Sequence, residues 1–306
     1  MISLKICAVT LNYFACRDTI TCVRSLLGQG LSRIIIVENS GSDREREELE
    51  KAFEHEYDVI VITSGRNLGF AGGVNFALGH VPASDYDAFL LVNNDTLASS
   101  DLVEKLIRRA EEGALDLAAP MIYRYPQKEL LWSAGNYYNI LTGLITRVPL
   151  AWLPGNIFCL TGCCLLVRRE VLETIGYLDE SFFMYGEDVD FCVRAKRAGY
   201  TLGVVRDAYM YHRVNAASHN NSLFYEYHIN RGHFLLAKTL SRKRGERILM
   251  TTTKIIALAM RSVMRTIRFR TPHAVRGYVR ALVSCFFPRS GADQLETCGP
   301  DHHPAA

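Results

Sequence analysis

The chain has 306 residues, 49% hydrophobic and 22% charged, with 22 Gly and 9 Pro, a composition that excludes disordered, collagen-like and mucin-like polypeptides. Its length suits one large domain or two smaller ones. The net charge of +3 hides an asymmetry: residues 242–289 carry 12 Lys/Arg against one acid, Glu246, whereas residues 1–241 carry 23 Lys/Arg against 28 Asp/Glu.

The first hundred residues alternate between two hydrophobic periods. Apolar runs at Ile6–Leu11, Arg33–Val37, Val59–Thr63 and Ala88–Val92 fit buried strands, and helical stretches at about Asp18–Leu27, Ser42–His55 and Ala71–Leu78 separate them. Continuous apolar strands alternating with helices imply an α/β fold with a mostly parallel sheet covered on both faces. Ligands of such sheets lie beyond the carboxyl ends of the strands. Each strand here ends in small polar residues: Thr10-Leu11-Asn12, Glu38-Asn39-Ser40-Gly41, Ser64-Gly65-Arg66-Asn67 and Asn93-Asn94-Asp95-Thr96. After Pro120 the alternation fades. Residues 121–158 have no steady period, a charged helix spans about Glu187–Ala198, a strand lies near Leu202–Val205, and the pattern is helical from Leu223 to about Phe287.

Three segments carry candidate chemistry. Asp95, at the end of the strand AFLLV, can hold a divalent cation, and reads equally as a helix-capping turn residue. Glu187 and Asp188, at a helix start, can present a carboxylate base to a cleft or simply complement the helix dipole. Asp190 stands one turn before Arg194 and reads as structural. The glycines of Asn67-Leu68-Gly69-Phe70-Ala71-Gly72-Gly73 open a helix where backbone N–H groups favour phosphate. His212 ends an apolar segment, where a lone histidine is more often structural. The nine cysteines are odd in number and form no CxxC pair, which argues against a disulfide framework or a zinc ribbon. No basic leader and no run of 18 uninterrupted apolar residues occurs, so the expectation is a reduced, cytoplasmic protein.

In this order, the residues resemble the inverting family 2 nucleotide-sugar glycosyltransferases of the GT-A fold, and most closely their rhamnosyltransferase-like branch. The matching strings are VTLNY (9–13), VENSGSD (37–43), RNLGFAGGVN (66–75), LLVNNDT (90–96), the segment 160–200 and His212. The resemblance implies a GT-A domain over 1–240, with a nucleotide-binding part at about 1–120 and an acceptor part at about 121–240. It implies that Thr10, Asn12, Glu38, Asn67, Gly72, Gly73 and Asn93 line the donor site, with Glu38 accepting from the pyrimidine N3–H. It further implies that Asp95 and His212 hold Mg2+ or Mn2+ on the diphosphate and that Asp188, with Glu187 beside it, is the catalytic base. Asn93 stands where the family often has Asp. The implied reaction moves a sugar, rhamnose from dTDP-rhamnose by preference, onto a glycan or lipid-linked acceptor in surface polysaccharide synthesis. A UDP-sugar such as UDP-galactofuranose as donor, or a catalytically silent nucleotide-sugar binding protein, are the alternatives.

Residues 241–289 form a separate basic, amphipathic helical region, followed by an expected disordered tail at 290–306. On one helix, Lys254, Arg261, Arg265 and Arg268 fall on one face and Leu249, Ile256, Met260, Val263 and Ile267 on the other. That pattern suits an anionic membrane surface, or a helix packed on the domain with its basic face in water. No nucleic-acid motif accompanies the charge, so no nucleic-acid partner is expected. The protein is expected to sit peripherally on the inner face of the cell membrane.

Overall fold

The structure, a computed structural model, describes residues 4–213 and 221–287; the tail at 290–306 lies outside them. β1 (Ile6–Asn12), β2 (Arg33–Glu38), β3 (Val59–Thr63) and β4 (Ala88–Val92) pair in parallel in the order β3-β2-β1-β4. Their connections are α1 (Cys16–Leu26), α2 (Asp43–Ala52) and α3 (Gly69–Gly79). The next elements are β5 (Thr96–Ala98), α4 (Leu102–Glu112) and β6 (Leu117–Arg124). The aperiodic stretch folds into β7 (Leu131–Ser133), β8 (Asn136–Asn139), β9 (Ile145–Thr146) and β10 (Asn156–Cys159). Then come β11 (Cys164–Arg168), α5 (Arg169–Ile175), α6 (Glu187–Arg197) and β12 (Leu202–His212). The described chain ends in α7 (Leu223–Leu240), α8 (Arg244–Phe269) and α9 (His273–Phe286).

Beyond β4 the sheet continues through β11, β6, β12 and β5, with β7 beside β6, while β8, β9 and β10 form a small second sheet. β11 runs antiparallel to both β4 and β6, β12 runs parallel to β6, and β5 runs antiparallel to β12. The N-terminal half is thus parallel throughout and the other half mixes directions. β12 outruns the expected four residues because a bulge between Val205 and Tyr209 lets it re-pair with β6 as far as His212.

Both faces are covered. Ile6 and Ala8 of β1 pack with α1, α2 and α4, whereas Cys7 and Val9 pack with α3, α5, α6 and α7, the period-2 alternation of a strand buried on both sides. Cys7, Cys16, Cys22, Cys159, Cys163, Cys164 and Cys192 are buried free thiols within these layers.

The C-terminal helices correct one expectation. The basic side of α8 faces the protein: Lys254 is 2% exposed and its Nζ lies 2.7 Å from His233 Nδ1. Arg261 and Arg265 pair with Glu226 of α7, which is 1% exposed. Arg268 alone of the four stays exposed, beside the Phe269 ring. The physical reason is that the Glu226 carboxylate, buried on α7, would cost more if left unpaired than the two arginines lose by giving up part of their hydration. The apolar side, Leu249 through Ile267, is left outside. Among the described residues no helix is long and apolar enough to cross a membrane.

Candidate active site

The carboxyl ends of the parallel strands open onto a cleft of about 510 Å³, a size typical of small-molecule sites. Leu11, Asn39, Asn67, Asn93, Asn94 and Asp95 form its sheet side; Gly162, Glu187 and Asp188 form the middle; Tyr225, Ile229 and His233 of α7 close the far wall.

Asp95 and His212 meet because β5 pairs with the end of β12, setting Thr96 opposite His212. Asp95 Oδ1 lies 3.1 Å from His212 Nε2, the Trp132 ring packs edge-on against the imidazole at 4.6 Å, and His212 Nδ1 is buried with no partner among the described residues. A carboxylate oxygen and an imidazole nitrogen this close, both facing the cleft, suit one hard or borderline divalent cation. Among the described residues no third His, Cys, Asp or Glu joins them, so diphosphate oxygens and water would complete the coordination.

Asp188 and Glu187 lie side by side at the first turn of α6, whose N-cap, Gly186, has φ 104°. Asp188 accepts N–H bonds from Gly162 at 3.1 Å and Val189 at 2.8 Å. Burial raises its pKa, and those two donors oppose the rise. Glu187 is buried, its Oε2 has no partner among the described residues, and burial followed by the Asp188 charge pushes its pKa up to about 8. Burial thus raises the pKa of both carboxyls, and the two N–H donors at Asp188, which have no counterpart at Glu187 Oε2 among the described residues, favour Asp188 as the carboxylate of the pair and Glu187 as the holder of a shared proton. Asp190 points elsewhere: it pairs with Arg194 at 2.7 Å, and Arg194 in turn donates to the Ile175 and Tyr177 carbonyls. That is the structural role expected of it.

Several residues expected around the donor are placed differently. Thr10 and Asn12 are fully buried, on the same side of β1 as Ile6 and Ala8; Asn12 donates to Glu45 and accepts from Thr19. Strand alternation therefore gives the cleft Leu11 and Tyr13 instead. Glu38 is 0% exposed, and its carboxylate accepts from Ser40 N–H and O–H and from Gly41 N–H. It ties down the loop after β2 rather than facing the cleft. Gly72 and Gly73 are buried in α3; a Cβ on Gly73 would come within 2.8 Å of the Leu11 side chain, so this glycine permits close packing of α3 on β1. At the start of α3, the Gly69 N–H is taken by Asn67 Oδ1 and the Phe70 N–H by the Phe183 carbonyl. Asn67, Asn93, Asp95, Glu187, Asp188 and His212 do share the cleft.

Sequence reasoning missed Asn39, which organises the loop before α3 by accepting from the Leu68 N–H and donating to Asn67 and the Gly69 carbonyl. It also missed Arg124, Trp132, Tyr225 and His233 in the cleft wall. Asn39 adjoins Glu38 in the quoted string, so its signal was present; the others come from segments without a motif.

The chain matches the family model described as Glycosyl transferase family 2 over residues 7–176. It is 28% identical over 240 residues to the low-salt glycan biosynthesis hexosyltransferase Agl10 of Haloferax volcanii, covering 74% of each chain. It is 26% identical over 186 residues to the rhamnosyltransferase WbbL of Escherichia coli, covering 55% of this chain and 69% of that one. It is also 26% identical over 180 residues to the N-acetylglucosaminyl-diphospho-decaprenol L-rhamnosyltransferase of Mycobacterium tuberculosis, covering 51% and 59%. Among solved structures, the Pyrobaculum calidifontis mannosyltransferase PcManGT, in complex with GDP-Man and Mn2+, superposes with TM-score 0.59 at 12% identity, over 94% of this chain and 88% of that one. That likeness carries the GT-A fold. With a family model spanning more than half its length, the chain belongs to glycosyl transferase family 2.

Proposed function

We propose that this glycosyltransferase moves rhamnose from dTDP-rhamnose onto a glycan or lipid-linked acceptor, with inversion, using a divalent cation. The observation that carries this reading is the convergence of Asp95, His212 and Asp188 on one cleft. Similarity to two rhamnosyltransferases supports the sugar, and the decaprenol acceptor named for one of them supports a lipid-linked acceptor.

Asp95 and His212 would hold Mg2+ or Mn2+, which when bound offsets the charge of the diphosphate leaving group. Arg124, at the cleft edge, adds a fixed positive charge for the same anion. Asp188, held by the Gly162 and Val189 N–H groups, accepts the proton of the acceptor hydroxyl as that oxygen bonds to the anomeric carbon and the bond to the diphosphate breaks. Neutral Glu187 keeps a second negative charge away from the incoming oxygen. One displacement inverts the centre, and no enzyme nucleophile is required. Trp132 and the α7 residues Tyr225 and His233 wall the cleft beyond Asp188, where an acceptor sugar would stack and hydrogen-bond.

The test is a thermal-shift panel of dTDP, UDP, dTDP-rhamnose and UDP-sugars with and without Mn2+, on wild type and Asp95→Ala. Ligand bound only by the folded state raises the midpoint by mass action. The expected outcome is a Mn2+-dependent shift with dTDP ligands that Asp95→Ala removes. A shift of equal size without metal, or with Asp95→Ala, would overturn the metal assignment, and no shift with any dTDP ligand would overturn the donor.

A further inference from the structure

α8 carries its amphipathic pattern the opposite way round from a helix on a water-soluble surface. Leu249, Ile256, Met260, Val263 and Ile267 are 51–72% exposed. Their spacings of 7, 4, 3 and 4 place them in one row about 27 Å long at ~1.5 Å per residue. The three charged residues between Leu249 and Ile267, namely Lys254, Arg261 and Arg265, all turn inward onto α7. Only Thr252 and Thr253 interrupt this row; soluble monomers seldom show so long an exposed apolar row, and such rows mark contact surfaces.

The charge around the row identifies what it contacts. The ends of the helix and the next one carry exposed positive charge: Arg244 and Arg247 in the first turn of α8, Arg268 and Arg270 at its end, and Arg276 and Arg280 on α9, all six exposed. The one acid of residues 242–287, Glu246, is bound to the backbone N–H groups of Arg242 and Lys243 and caps α8. A second copy of this chain docked across a two-fold axis would set this positive charge against itself. A layer of anionic lipid complements it, and its acyl region accepts the apolar row. We propose that α8 lies in the plane of an anionic membrane surface with the Leu249–Ile267 row immersed, and that its basic side is the clamp that holds α7 and the cleft against that surface.

The cleft lies behind this face. α7 presents Tyr225, Ile229 and His233 to the cleft and meets α8 through Glu226 and His233, so two helix thicknesses, roughly 20 Å, separate the cleft from the row. A lipid-linked acceptor would thus offer its head group to Asp188 from the membrane. That purpose rests on the function proposed above; the membrane contact itself does not.

The experiment is co-sedimentation of the full chain with vesicles of phosphatidylcholine alone and of phosphatidylcholine mixed with phosphatidylglycerol, without donor. The chain is expected to bind the mixed vesicles, less tightly in high salt but still measurably, because only the charge part is screened. Ile256→Glu with Met260→Glu should weaken binding by at least about tenfold, with an unchanged unfolding midpoint, since both side chains are more than half exposed. Arg276→Gln with Arg280→Gln should weaken binding to mixed vesicles by about fivefold per arginine at low salt. A wild-type chain that ignores both vesicles overturns the proposal. So does a dimer, seen by light scattering, that Ile256→Glu with Met260→Glu splits while neither form binds vesicles, which would assign the row to a second copy. Failure of the transferase reading would appear separately, as absent dTDP binding in a chain that still binds vesicles.

Discussion

Asp188 and Glu187 show how two adjacent carboxyls acquire different work. Asp188 has two backbone donors and a place in the cleft wall; Glu187 has burial, a neighbouring negative charge and an Oε2 with no partner among the described residues. Asp188→Asn keeps the shape but removes the proton acceptor, and turnover should fall by about 10²-fold or more, the usual worth of a general base, while dTDP binding in a thermal-shift assay persists. Near-normal turnover in folded Asp188→Asn would move the role to another residue. Glu187→Gln should act mainly on stability. The folded-state pKa of about 8 lies above the carboxyl's ordinary value of 4.5, so the native state holds a proton that the unfolded chain releases. Its contribution is complete below about pH 4.5 and is lost as pH rises through about 8. Relative to Glu187→Gln, wild type should therefore lose stability between pH 5 and pH 8, by an amount on the order of a few kcal/mol. Equal pH slopes in urea unfolding of the two proteins would show that Glu187 is not held protonated.

At the scale of elements, the loop before α6 depends on a contact with α7. Tyr185 and Gly186 both have positive φ, a local strain that persists only when the surroundings enforce it. Gly232 of α7 is part of that enforcement: a Cβ there would stand 2.0 Å from the Tyr185 carbonyl oxygen. Gly232→Ala must push the loop away from α7 and carry Asp188 with it. The expected outcome is a loss of about 1–3 kcal/mol of stability, as for overpacking elsewhere, and a fall in kcat of at least about tenfold, because small misplacements of a reacting group are costly. A variant as active and as stable as wild type would show that the loop is held by other contacts. Nothing in the residues around Gly232 marks it, since its meaning lies in a helix crossing. The elements themselves were far more legible. The apolar runs gave β3 and β4 to the residue: β4 is buried along its whole length and so is apolar throughout, while β3, the edge strand, is only half-buried and is marked by its β-branched residues. The polar strand ends correctly gave the location of the cleft. Which side chains enter it was not legible for Thr10 and Asn12, because a strand end shows its period but not which of its two faces adjoins the cavity, and the helices packed on each face decide that.

Across the whole molecule, the charge asymmetry seen in the composition has a partly internal cause. The basic C-terminal segment answers Glu226 and His233 on α7, so part of its charge fastens the terminal helices together rather than meeting solvent. Helical periodicity reads the same whether the basic side turns in or out; the clue lay one helix earlier, in an acid and a histidine among the apolar residues of α7. Arg261→Gln removes one partner of a buried carboxylate and should cost about 3 kcal/mol, by the usual penalty for breaking a buried pair. Lys254 behaves differently. Burial lowers its pKa from 10.5 to about 7; its amine meets His233 and the Tyr138 ring, and no carboxylate among the described residues pairs with it. Above about pH 7 the folded chain releases a proton that the unfolded chain keeps until about 10.5, so stability should rise with pH across that window. Lys254→Met keeps most of the packing and removes the titration. It also leaves His233 Nδ1 without its donor, which shifts the whole curve, so the diagnostic quantity is the slope with pH. Urea unfolding at pH 7 and pH 9.5 should show wild type gaining stability relative to Lys254→Met; parallel behaviour of the two would mean that the amine stays charged inside the fold and that the α7–α8 contact is held by a buried cation.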